Sequence, residues 1–327
     1  QKAVAASASP SQPRRTWPAR GDWFKELFGF QEVSYPVTQG LLKATALKGG
    51  QWVLQGENEE LWRLGRFWTP NLDELEMEVA MLGGTDKLPG RLRVQNIVGD
   101  VADFLASEEN RHATFQVASQ FNCLEFPGPS VTPERGITDY VCDKTQGPAC
   151  SIACGPATAF RNYVVAVDGE RGQTTSRQID NLRDLRSRLG EPGQYIKMKG
   201  GYTMAQDKDL RKLNYAIEQL SQSQKKAVQR ELRVGVHEDV PVTSCQWGRM
   251  QLRDDKQTVT QVFGSACSVS YSGNGQSLWA PFARLVLQAS YEATLWAAAA
   301  AALRHGAVPS ARRVFLTCLG GGVFGNP

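Results

Sequence analysis

No stretch of this chain approaches eighteen consecutive apolar residues. The nearest, 295–303, is mostly alanine and too short to cross a bilayer, so no transmembrane segment is expected. Charge of one sign is missing too. A total of 37 Lys and Arg against 33 Asp and Glu leaves +4 over 327 residues, no footprint for dedicated nucleic-acid binding. Cysteine is present without a pattern: seven, an odd number, which excludes the even framework of a secreted disulfide protein and predicts reduced thiols. Histidine is scarce, at three, and none stands at ligand spacing from Cys150 and Cys154, so neither a metal nor a cofactor is expected. No G-x-S-x-G elbow occurs, and no histidine is placed by spacing to activate a cysteine.

What is present divides the chain in three. Residues 1–20 are Ala, Ser, Pro and Arg with no acid before Asp22, the composition of a transit-peptide remnant or, equally, of a disordered tail. The first reading places the protein in an organelle, a plastid rather than a mitochondrion; otherwise it is cytoplasmic. Such a tail is ordered only where a partner surface or its own domain holds it. Residues 21–90 carry Trp23, Trp52, Trp62 and Trp68, expected to pack rather than to stack a ligand. Strands are predicted at 43–54 and 63–68. Thr69-Pro70 predicts a helix start with Thr as N-cap, and Leu72, Leu75, Val79 and Leu82 form its apolar face.

From Arg91 onward, strands are predicted at 92–98, 113–121, 161–167, 231–237, 258–271 and 314–319. Helices are predicted at 102–109, 150–158, 177–188, 207–233 and 282–303. This alternation indicates a layered α/β fold. Lys225, Lys226, Arg230 and Arg233 are expected on a solvated helix face. The closing strand runs into Gly320-Gly321-Gly322, then Val323-Phe324-Gly325. Such glycines let successive N–H groups converge on a phosphate, or they merely end a strand. Gly320, Gly322 and Gly325 satisfy G-x-G-x-x-G, but no helix or acidic residue follows as the dinucleotide fingerprint requires.

Val98-Gly99-Asp100-Val101, the strand ending Ala118-Ser119-Gln120-Phe121-Asn122, the helix with Ser290 to Leu295, and the closing Gly321-Gly322-Val323-Phe324-Gly325-Asn326-Pro327 together resemble a macrodomain. The resemblance implies a three-layer α/β/α, macrodomain-like mixed sheet over 91–327, with a helical insertion around 168–257 and 21–90 as an N-terminal extension. It implies a binding module for ADP-ribose or a related nucleotide diphosphate. Asp100 would accept from the adenine amino group, with the Val101 backbone nearby, and Asn122 would meet the distal ribose. Gly147 would belong to one diphosphate loop, and Gly321, Gly322, Val323 and Phe324 to the other.

Ala149 or Cys150 falls where hydrolytic members carry an Asp, and Pro148 removes a backbone donor. Hydrolysis is therefore expected to be lost unless Asp139 or Asp143 substitutes, in which case the activity would be that of an ADP-ribosyl hydrolase. The family also continues past this point with another helix. The alternative expectation is a non-catalytic, soluble structural subunit of an organellar protein complex, contacted through the tail and the Trp-rich extension.

Overall fold

The computed structural model describes residues 15–16, 22–88 and 90–326. The transit-like tail at 1–20 lies outside the described residues, except for Arg15–Thr16, whose backbone pairs antiparallel with Met250–Gln251. The chain then enters α1 (Asp22–Phe28), which buries Trp23, Phe24, Leu27 and Phe28 on one face. After α2 (Tyr35–Leu41), an antiparallel meander follows: β1 (Lys43–Ala46), β2 (Trp52–Gln55) and β3 (Leu61–Leu64). Gly56 sits where a Cβ would lie 2.1 Å from the Phe28 carbonyl oxygen, so no side chain fits where the meander touches α1. The indoles pack inward as expected: Trp23 donates to Thr138 O at 3.2 Å, Trp62 to Leu27 O at 2.9 Å, and Trp52 lies 5.3 Å from the Phe160 ring.

Strand β4 (Phe67–Trp68) leads to α3 (Leu72–Met81), which starts two residues later than Thr69-Pro70 predicts. Asn71 is the N-cap because it completes a reciprocal box: Glu74 N donates to its side chain at 3.0 Å, and its own N–H donates to the Glu74 carboxylate at 2.9 Å. The Thr69 and Pro70 carbonyls instead accept from Arg233 and from the Val234 N–H.

Residues 91–98 form no strand. Leu92, Val94 and Val98 are 80%, 91% and 92% exposed. Next come α4 (Val101–Ala106), β5 (Thr114–Ser119), α5 (Gln146–Ala153) and α6 (Gly155–Tyr163). The strand expected at 161–167 is therefore half helix. Arg161 lies inside α6, Val164 and Val165 still donate to Phe160 O, and only Ala166–Val167 pairs as a ladder.

The region 168–257 holds α7 (Arg183–Arg188), the hairpin β6 (Lys197–Lys199) and β7 (Tyr202–Met204), α8 (Asp207–Gln219), α9 (Gln222–Arg230) and β8 (Gly235–Pro241). Arg230 and Arg233 do not face open solvent. Arg230 pairs with Asp73 and Glu76, and Arg233 with Glu74 and Asp184, so acidic residues near the starts of α3 and α7 draw them in. Lys226 pairs with Glu292. The chain closes with β9 (Thr258–Ser265), α10 (Gln276–Arg304) and β10 (Val314–Phe315).

The main sheet is mixed, in the order β10-β5-β9-β8-β4. β10, β5 and β9 run parallel (Thr260 opposite Thr114, Val314 opposite Thr114), while β8 and β4 are antiparallel to their neighbours. Of its two edge strands, β4 comes from the Trp-rich segment, and the neighbouring β8 from within 168–257. Alternation along the strands sends Phe115, Val117, Val259 and Phe263 into a core with α1, α5 and α6. Val236 and Val262 pack with Leu75, Ala293 and Ala297 of α3 and α10. A further cluster joins Leu185, Leu210, Leu213 and Ile217 to Trp279, Phe282 and Val286.

Asn71→Ala is expected to cost about 1 kcal/mol in urea denaturation at unchanged m-value. No loss would mean that the arginine ties alone hold the start of α3.

Candidate functional site

Three parallel strands deliver three chain segments to their common C-terminal end: 120–145 after β5, 266–275 after β9 and 316–326 after β10. That end is where open α/β sheets bind ligands. β10 pairs with β5 for only two residues, not to Leu319 as its apolar run predicts. Beyond it, the Gln146 side chain takes the edge: its Oε1 accepts from Ala118 N and its Nε2 donates to Gln116 O, both at 2.8 Å. The first turn of α5 is thereby pinned to β5. A Cβ on Gly147 would meet Ala118 O at 2.0 Å and Glu125 Oε2 at 2.3 Å, so only glycine fits there. Thr145 gives no side-chain cap, Pro148 has no N–H, and Asp143 instead accepts from Thr145 N at 3.0 Å.

The glycine segment folds back on the chain after β9. Asn326 donates from Nδ2 to Cys267 O and from its backbone to Gly320 O, and Phe324 O accepts from Ser270 N at 3.0 Å. Gly320 has φ 67° and a Cβ there would strike Asn326 and Ala266, so the turn requires glycine. Gly321, Gly322 and Val323 are exposed, and the N–H groups of Gly322, Val323 and Phe324 meet no acceptor among the described residues. Phe324 packs beside Tyr202 and Tyr271, with ring centroids 5.4 and 5.6 Å away.

Behind Gly147 lies a buried carboxyl that spacing does not reveal. Glu125 is 3% exposed, its N–H donates to Tyr140 Oη at 2.8 Å, and its Oε1 has no partner among the described residues. Burial pushes its pKa well above the carboxylate range. A Ser119 hydrogen bond and the Arg161 charge oppose this, and Asp143 adds to it. Arg161 is fully buried as well. It donates to Cys123 O at 3.0 Å and Thr158 Oγ1 at 3.1 Å and lies 4.0 Å over the Phe263 ring. Burial lowers its pKa against the charges of Cys123 and Glu125, yet a guanidinium keeps its proton. The sequence signals for both were modest: a Glu enclosed in the apolar run 121–126, and an Arg among the small residues of α6.

The residues singled out in the sequence divide. Asp100 caps α4, accepting from Ala102 N at 2.9 Å and, on its other oxygen, from Trp247 Nε1 at 3.0 Å; Val101 is the half-buried first residue of that helix. α4 packs on α5. Gly147 and the segment holding Gly321, Gly322, Val323 and Phe324 emerge at the same end of the sheet. Asn122 is different. It is buried under Gly201, its amide accepting from Leu124 N at 3.1 Å and donating to Gln178 at 2.8 Å, so it holds its own turn. Asp139 is exposed and pairs with Arg135, while Asp143 stays near enough for Glu125, Tyr202 and Tyr271 to feel its charge. Burial raises the Cys150 thiol well above its usual value, and Cys154, Glu125 and Asp100 add to this, which disfavours the thiolate.

No protein-family model, curated protein or solved structure matches the chain.

Glu125 gives a pH signature. The folded protein holds this proton to higher pH than the unfolded chain, so over that window the folded state binds more protons. Stability then falls as pH rises from about 4.3 towards the raised folded value. Glu125→Gln removes that term, and its stability relative to the natural protein should grow between about pH 4.5 and pH 7.5 in chemical denaturation. A constant difference would show the carboxyl ionised in the fold.

Proposed function

We propose that this chain is a macrodomain-like, three-layer α/β/α module that binds ADP-ribose or a related nucleotide diphosphate and does not hydrolyse it. One observation carries this reading. The first turn of α5, without a side-chain cap, and the N–H groups of Gly322, Val323 and Phe324, without an acceptor among the described residues, lie at the same end of three parallel strands. Two sets of N–H groups suit two phosphates without basic side chains. Asp100 lies beside α5 to receive an adenine amino group in place of the Trp247 N–H, and the Phe324 ring would lie against the distal ribose. Asn122 would reach that ribose only by releasing Gln178.

Loss of hydrolysis follows from the same residues. Ala149 and Cys150 carry no carboxylate, and Glu125 is buried and sealed behind Gly147. A water-activating base must reach its proton within hydrogen-bond distance, which a sealed acid does not.

Calorimetric titration with ADP-ribose, with ADP and NAD as controls, is expected to give micromolar binding, about 8 kcal/mol. Gly322 has open space around its Cβ position and no positive φ, so Gly322→Glu should fold normally. Its carboxylate would repel the phosphates and weaken binding by at least about tenfold, or 1.4 kcal/mol. No heat from the natural, folded protein would overturn the reading.

A second reading, a structural subunit of an organellar, plastid-type assembly, is favoured by the exposed apolar segment that carries Leu92, Val94 and Val98. If it holds, the protein extracted from its source migrates as a large particle. Leu92→Asp with Val94→Asp releases it from that particle and Gly322→Glu does not.

A further inference from the structure

The opposite end of the same strands carries a second cluster. His112 precedes β5, Asp239 lies in β8, and His305 is the first residue after α10. One ligand atom from each lies within 4.8 Å of the other two. His305 Nε2 is 2.8 Å from Asp239 Oδ1, and His112 Nδ1 is 3.7 Å from the same oxygen. A tetrahedral ion with bonds of about 2.0–2.1 Å sets its ligands roughly 3.3 Å apart, between those two distances.

The backbone is bent to produce this convergence. His112 and Asp239 have φ 64° and 48°, left-handed values that non-glycine residues seldom adopt. The ladder between β8 and β9 shifts register between His237 and Val240, which takes Asp239 out of the pairing. The two imidazoles stack with centroids 3.9 Å apart, and the Thr258 hydroxyl, 3.1 Å from His112 Nδ1, is the contact an ion on that nitrogen would displace.

The charges around the cluster suit a cation. The neighbouring arginines are already matched: Arg111 pairs with Asp254, and Arg304 with Glu78 and Glu238. The C-terminus of the 29-residue α10 adds partial negative charge beside His305. The three side chains are 21–35% exposed, which leaves a fourth position open to water.

We propose that His112, Asp239 and His305 form a binding site for a borderline first-row divalent ion of the zinc class, joining the start of β5, the bulge of β8 and the end of α10. Two imidazoles and one carboxylate are the donor set of such ions, and carboxylate-only chemistry for calcium or magnesium is absent from the cluster. The site is independent of the nucleotide reading.

The test uses the full chain, stripped with a chelator and titrated with zinc chloride, in a Cys142→Ser, Cys318→Ser background that removes the two exposed thiols. One zinc per chain is expected, with a rise in Tm at saturation. His112→Ala with His305→Ala, and separately the near-isosteric Asp239→Asn, should weaken binding by at least about tenfold. Gly322→Glu should leave it unchanged. Cobalt(II) in place of zinc should show ligand-field absorption without thiolate charge transfer. Equal zinc affinity in the folded Asp239→Asn variant, thiolate charge transfer with cobalt, or no micromolar zinc binding by the parent would each overturn the site.

Discussion

Two hydrogen bonds from one side chain set the geometry of the candidate site. A buried strand edge cannot leave its N–H and C=O groups unpaired, and past Phe315 the edge of β5 would be bare. Gln146 fills it at Gln116 O and Ala118 N. Two consequences follow. β10 stops after two residues and its continuation is free to turn as a glycine segment. The first turn of α5 is fixed against β5 so closely that residue 147 must be glycine.

The interior behind that turn is polar to a degree a packed core seldom tolerates. Glu125 and Arg161 are both buried, each with an unpaired atom, and no ion pair closes between them within 4.0 Å. Ionising both without a bond would cost several kcal/mol per ion. Protonating Glu125 removes one of those penalties. The arginine disperses its charge over carbonyl and hydroxyl acceptors and the Phe263 face. Burial thus favours the protonated acid beside the first turn of α5.

Much of the fold was legible because it is written in local period and local punctuation. The long apolar helix with its stop at His305-Gly306, the strands around 114–119 and 258–265, and the small-residue helix near Cys150 all have a period that survives without neighbours. The misreadings share one cause. Residues 92–98 and 161–167 have strand composition, but strand composition is a fit to a half-buried surface, and a neighbouring edge must exist for it to count. Arg230 and Arg233 looked solvated because their partners, Asp73, Glu74, Glu76 and Asp184, lie far away in sequence. Spacing found the glycine segment for the same reason that it missed the histidines: Gly320 to Gly325 are consecutive, whereas His112, Asp239 and His305 meet only once the sheet has formed.

The two ends of the parallel strands then carry opposite demands. Parallel β5 and β9 place the N-terminus of α5 and a set of N–H groups unpaired among the described residues at one end, a region of partial positive charge. The end of α10, returning antiparallel to them before β10, brings its partial negative charge to the other, where a carboxylate and two imidazoles already converge. Both follow from one topological choice, a helix between parallel strands, since such a crossover must end at the edge where the next strand begins. The glycine segment needs no ion at the far end to form, because Asn326 and Ser270 fold it locally. The His–Asp cluster in turn needs no ligand at the glycine end, because the register shift in β8 and the cap of α10 set its geometry.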